Sequence, residues 1–85
     1  MRYIYINNFE LTSSGELYLY TQDNIFEYLL SEYYSFKNLI KINKVMNSIT
    51  FYDINSNLQK TYHFPDTQLF NNLLNKINNF FKIEN

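Results

Sequence analysis

Cysteine is absent from the chain, which excludes a disulfide framework and any thiolate metal site. Its single glycine, Gly15, leaves no phosphate-cradling loop of either the dinucleotide or the P-loop kind. With one histidine, His63, a four-ligand site of nitrogen and sulfur cannot be assembled, so neither metal nor cofactor is expected. Basic residues are few: seven Lys and Arg stand against eight Asp and Glu, and the net charge of −1 opposes generic nucleic-acid binding, which rests on clustered cations. No apolar run approaches the roughly 18 residues of a membrane span, and Met1 to Asn7 lack the apolar core of a signal peptide. No Asn-x-Ser/Thr sequon occurs, although Asn is abundant. These absences point to a cytoplasmic, soluble protein. Alanine is missing too, and the excess of Asn, Ile, Lys, Tyr and Phe is what an A/T-biased coding sequence produces.

Aromatic residues make up 20% of the chain and charged residues 18%, too apolar a mixture for intrinsic disorder. Eighty-five residues suffice for one domain, 1–85, and not for two cores. The stretch Pro65 to Phe81 organises it. Leu69, Phe70, Leu73, Leu74, Ile77, Phe80 and Phe81 recur at three-and-four spacing and share one stripe of a helix, whose other face is mostly Asn. Asn is a poor helix former, so this helix should depend on burial of its stripe. Asp66 is placed to cap its first turn, and Lys82 to face the carbonyls of its last.

Upstream, residues 2–7 and 16–21 alternate with a period of two and read as an antiparallel hairpin. Its aliphatic face would carry Ile4, Ile6, Leu17 and Leu19, and its other face Tyr3, Tyr5, Tyr18 and Tyr20. Thr21 to Asn24 offers capping side chains, and Ile25, Phe26, Leu29, Leu30 and Tyr33 then fit a helical stripe with Glu27, Tyr28, Ser31, Glu32 and Tyr34 outward. Strands are expected over 37–46, 48–53 and 58–64, with Ile40/Ile42, Ile49/Phe51 and Tyr62/Phe64 inward and a turn at Asn55-Ser56-Asn57. The lysines at 37, 41 and 44 also suit a helix face, which leaves a helix over 36–46 as an alternative. The resulting ββαβββα order is an α+β domain, an antiparallel sheet packed by the long C-terminal amphipathic helix.

Little in this inventory carries catalysis. His63 and Asp66 straddle Pro65 with no nucleophile elbow beside them, and Asp23 and Glu27, spaced as i and i+4 on the expected helix, read better as a solvated acidic face than as a catalytic or metal-holding pair. The chain is therefore expected not to be an enzyme. Its distinctive feature is the first 34 residues, where Tyr3, Tyr5, Glu10, Glu16, Tyr18, Tyr20, Asp23, Glu27, Tyr28, Glu32 and Tyr34 mix rings with carboxylates, and no cation falls between Glu10 and Glu32. Acids interleaved with aromatics can imitate the charge and flat faces of nucleic acid. The expected function is a small protein-binding module, in the manner of a phage or mobile-element inhibitor that blocks a basic, nucleic-acid-handling host protein such as a defence effector. Two alternatives remain: a single-stranded nucleic-acid binder stacking bases on the tyrosines, or a self-assembling subunit, including a homodimer, that pairs an exposed edge with its copy.

Overall fold

Period-two alternation is obeyed along Glu16–Tyr20, where Leu17 and Leu19 are fully buried and Glu16, Tyr18 and Tyr20 turn the other way. The computed structural model describes residues 4–33, 40–53 and 58–84. Within them run β1 (Ile4–Tyr5), β2 (Asn8–Leu11), β3 (Glu16–Tyr20), β4 (Ile25–Leu29), β5 (Ile40–Asn43), β6 (Ser48–Asp53), β7 (Leu58–His63) and a closing helix, α1 (Thr67–Glu84). The strands form two sheets, a four-stranded one ordered β1-β7-β6-β5 and a three-stranded antiparallel one ordered β2-β3-β4. The class is α+β, with one mixed and one antiparallel sheet packed by a C-terminal helix.

The expected hairpin pairs differently. β3 takes β2 as its partner, in the register Phe9 to Leu19 and Leu11 to Leu17, while β1 lies parallel to β7 in the other sheet. The turn between β2 and β3 sets this register: Gly15 donates its N–H to the Thr12 carbonyl at 3.0 Å and adopts φ 90°, a conformation that favours glycine. The chain changes sheets between adjacent residues, since the Ile6 N–H donates to His63 and the Asn7 N–H to Tyr20, both at 2.9 Å. One sheet was expected; two face each other.

The second difference lies at 25–33, read from sequence as a helix. It is strand β4 followed by a 3₁₀ turn, Leu30–Glu32. The Thr21 hydroxyl does accept backbone N–H groups, from Asp23 at 3.3 Å and Asn24 at 2.9 Å, but the Thr21 N–H also donates to the Asn24 carbonyl at 2.9 Å. This closes a tight hairpin with Gln22 and Asp23 at its tip, so a side chain suited to capping a helix shapes a turn. Asp23 and Glu27 consequently share no helix face.

Ile40–Asn43 is a strand, and residues 44–47 turn, with Asn47 at φ 51° and the Asn43 side chain accepting the N–H groups of Val45 and Met46 at 3.1 Å. The helical alternative thus fails over 40–43, while Lys37 and the turn at 55–57 fall outside the described residues. Ile49, Phe51, Tyr62 and Phe64 are buried as expected; Ile40 is half-buried and Ile42 exposed at the rim.

The core joins Leu17 and Leu19 to Ile49, Phe51 and Tyr62 across the sheets, and Ile6 and Phe64 to Phe70, Leu73, Leu74 and Ile77 of α1. Asp66 Oδ1 accepts the N–H groups of Gln68 and Leu69 at 2.9 and 3.2 Å, capping the helix. α1 runs against β2, with Lys76 Nζ 5.6 Å from the centre of the Phe9 ring and the Phe80 ring beneath Gly15. Among the described residues no helix is long and apolar enough to cross a membrane.

Candidate functional site

The inward face of the three-stranded sheet is settled by Phe9, Leu11, Leu17, Leu19, Phe26 and Tyr28, so pairing register fixes what lies on the outward face. Tyr18 sits between Glu10 on β2 and Glu27 on β4 as one cross-strand row, and Tyr20 sits between Asn8 and Ile25 as the next. Glu16 stands opposite Leu29. Two inter-strand spacings put the Glu10 and Glu27 backbones about 10 Å apart, one on each side of the Tyr18 ring.

Glu16 is the most restrained of the three acids, its Oε1 accepting the hydroxyls of Thr12 at 3.3 Å and Ser14 at 3.4 Å. Among the described residues no basic side chain forms an ion pair with Glu10 or Glu27. The neighbouring cations lie elsewhere: Lys76 covers Phe9, and Lys60 Nζ lies 5.2 Å from the centre of the Phe26 ring, both rings belonging to the inward face. The Tyr18 hydroxyl is held above its ordinary pKa, first by desolvation and then by the charges of Glu16, Glu27 and Glu10. This ring stays neutral within an anionic surround.

Five of the eleven sequence-derived residues therefore come together: Glu10, Glu16, Tyr18, Tyr20 and Glu27. Asp23 is exposed at the hairpin tip beyond them, and Glu32 is exposed in the 3₁₀ turn. Tyr5 departs to the outer face of the four-stranded sheet, where its ring meets His63 edge-on at 5.4 Å. The four-tyrosine platform is not built on a single sheet. Tyr28, expected outward on a helix, points into the core, stacked on Phe51 at 3.9 Å and hydrogen-bonded through its hydroxyl to Tyr62. Tyr3 and Tyr34 lie outside the described residues.

Ile25 and Leu29, expected from their spacing on a buried helical stripe, lie on the outward face, 62% and 40% exposed. The signal for them was the pairing of Phe26 with Tyr28, two aromatic residues two apart, as the inward set of a strand. Beside β4 opens a cleft of about 340 Å³, floored by Phe26, Tyr28, Tyr33 and Phe51 and edged by Leu58 and Lys60.

Among the described residues no three His, Cys, Asp or Glu side chains are grouped to hold a metal ion. His63 lies on the polar side of β7 beside Tyr5, and Asp66 is engaged at the start of α1. No protein-family model, curated protein or solved structure matches the chain.

Proposed function

We propose that this chain is a non-enzymatic binding protein whose interface is the outward face of β2-β3-β4, and that its partner is a basic protein of the kind that handles nucleic acid. The carrying observation is the row Glu10–Tyr18–Glu27: two carboxylates that no described cation pairs with flank a neutral ring, with Glu16, Tyr20 and two exposed aliphatic side chains around them. Aromatic anchors within a charged surround suit a protein interface, and the sign of the charge selects a cationic surface. Binding there would occupy the partner's own anion-binding surface, which makes inhibition the natural consequence, as for a phage or mobile-element product acting on a host defence effector. Base stacking is the weaker reading, because among the described tyrosines only Tyr18 and Tyr20 share this face and acids surround them.

Titration against a labelled mixed-sequence oligonucleotide at physiological salt separates the two. No binding is expected, and micromolar or tighter binding overturns the proposal. Against a basic partner recovered by affinity capture, the Glu10→Lys/Glu27→Lys double variant should associate more slowly, and added salt should weaken the wild-type complex.

A further inference from the structure

The hydrogen-bond phase of the hairpin decides where the backbone of β4 points. Thr21 pairs with Asn24 through its N–H, and Leu30 donates to the Gly15 carbonyl at 2.8 Å, so residues 24, 26, 28 and 30 direct their backbone groups toward β3. Ile25, Glu27 and Leu29 direct theirs the other way. Among the described residues β4 is the last strand of its sheet, and none of these three has a backbone partner on that side. Three N–H and three C=O groups thus line an open edge. The same three residues carry the outward side chains, two exposed aliphatics with a carboxylate between them.

We infer that the edge of β4 pairs with an extended segment of the basic partner, which adds a fourth, antiparallel strand to the sheet with a Lys or Arg opposite Glu27. The inference rests on the binding face proposed above and specifies how it is engaged. In such a pairing the partner residue opposite Glu27 lies on the outer face, where Glu10, Glu16 and Glu27 favour a cation. Residues two positions away lie opposite Ile25 and Leu29 and suit aliphatic side chains. Those one position away point inward, over the cleft floored by Phe26, Tyr28, Tyr33 and Phe51, and suit an aromatic or aliphatic group. A second copy of this chain is the less suited occupant, because symmetric pairing centred on the middle of β4 sets Glu27 against Glu27 and joins two acidic faces.

The test uses the intact chain and a labelled, blocked peptide, Lys-Val-Phe-Lys-Phe-Val-Lys, which carries that pattern. Binding is read by fluorescence anisotropy and by the amide signals of Ile25, Glu27 and Leu29. These amides should exchange freely in the protein alone and become protected in the complex. N-methylation of the central Lys removes a donor aimed at β4 and should weaken binding about tenfold or more, whereas N-methylation of a flanking Phe points away and should be tolerated. Glu27→Lys should also weaken binding by about tenfold. If the peptide perturbs Tyr18 and Tyr20 while the two N-methyl peptides bind alike and the three amides keep exchanging, the edge pairing is wrong and the acidic face stands. If the peptide does not bind, both readings fall. Amides already protected in a species that light scattering shows to be a dimer would assign the edge to a second copy.

Discussion

The two edges of the three-stranded sheet are finished in opposite ways. Along β2 the edge lies against α1: Lys76 covers Phe9, Phe80 sits under Gly15, and the apolar stripe of the helix is buried from Phe70 to Ile77. Along β4 the backbone of Ile25, Glu27 and Leu29 has no partner among the described residues, and the two aliphatic side chains are exposed. An uncovered edge invites strand pairing, and proteins blunt it by covering it or by placing charge on it. Here one edge is covered and the other carries Glu27. The covered edge serves stability; the charged edge discourages a like-charged neighbour and, on the proposal above, admits an opposite one.

Uncovering the closed edge should have the largest effect. Leu73→Ala or Ile77→Ala removes a fully packed side chain from the stripe and should cost about 2–5 kcal/mol in chemical denaturation, a large share of the stability of a domain this small. A loss below about 1 kcal/mol would mean that α1 is not what closes this side. Asn75→Ala, on the exposed face of the same helix, should be neutral or slightly stabilising. Next in size is Gly15→Ala. A Cβ there would lie 2.6 Å from Cζ of Phe80 while the backbone is held at φ 90°, so the expected cost is about 1–3 kcal/mol. Shortening the ring with Phe80→Leu in the same background should return part of it if the clash contributes, whereas an unchanged deficit would assign the whole cost to backbone strain.

The closed side was the legible one. The stripe from Leu69 to Phe81, the Asp66 cap and the inward set Leu17 and Leu19 follow from spacing alone, because burial on one face imposes a period that a sequence records. The open side was misread for a physical reason. In Ile25-Phe26-Glu27-Tyr28-Leu29 the apolar residues occupy both faces, since two of them serve a surface and two the core, so the pattern matches a helix as well as a strand. Thr21 deepened the ambiguity, as its hydroxyl accepts the same local N–H groups in a turn as in a cap. Local acidity was visible as a gap between cations, and five of the candidate residues converge on one face. The departure of Tyr5 to the other sheet depends on a long-range parallel pairing with β7 that no local signal encodes.

A pH titration sharpens the comparison at the base of the open side, where Tyr28 and Tyr62 join their hydroxyls beneath β4. Burial first, and then the Tyr28 hydroxyl, raise the Tyr62 pKa above its ordinary 10.0. The folded state holds this proton more tightly than the unfolded chain, so the contribution is fully present below about pH 10 and declines as the unfolded chain ionises above it. Stability should fall by at most about 1 kcal/mol between pH 10 and 11 on this account. Tyr62→Phe should flatten that alkaline decline; an equally steep decline in the variant would place its origin in other groups.

The smallest effect is expected from charge at the two edges, and there the two should differ in sign. Lys76→Glu on the closed side removes a cation from the face of Phe9 and should cost about 0.5–1 kcal/mol. Glu27→Lys on the open side removes a carboxylate that no described cation pairs with and places a cation across Tyr18 from Glu10, so it should be neutral or stabilising by up to about 0.5 kcal/mol. The same substitution takes away one of the charges that raise the Tyr18 pKa, so tyrosinate absorbance should begin at lower pH in the variant. Denaturant melts and ultraviolet pH titration of both variants read these outcomes. A carboxylate that costs nothing to reverse is held on β4 by something other than folding, which is what an interface residue requires. Should Glu27→Lys instead lose more than about 1 kcal/mol, Glu27 would be a structural group, and the proposed division of the two edges into one for stability and one for binding would fail.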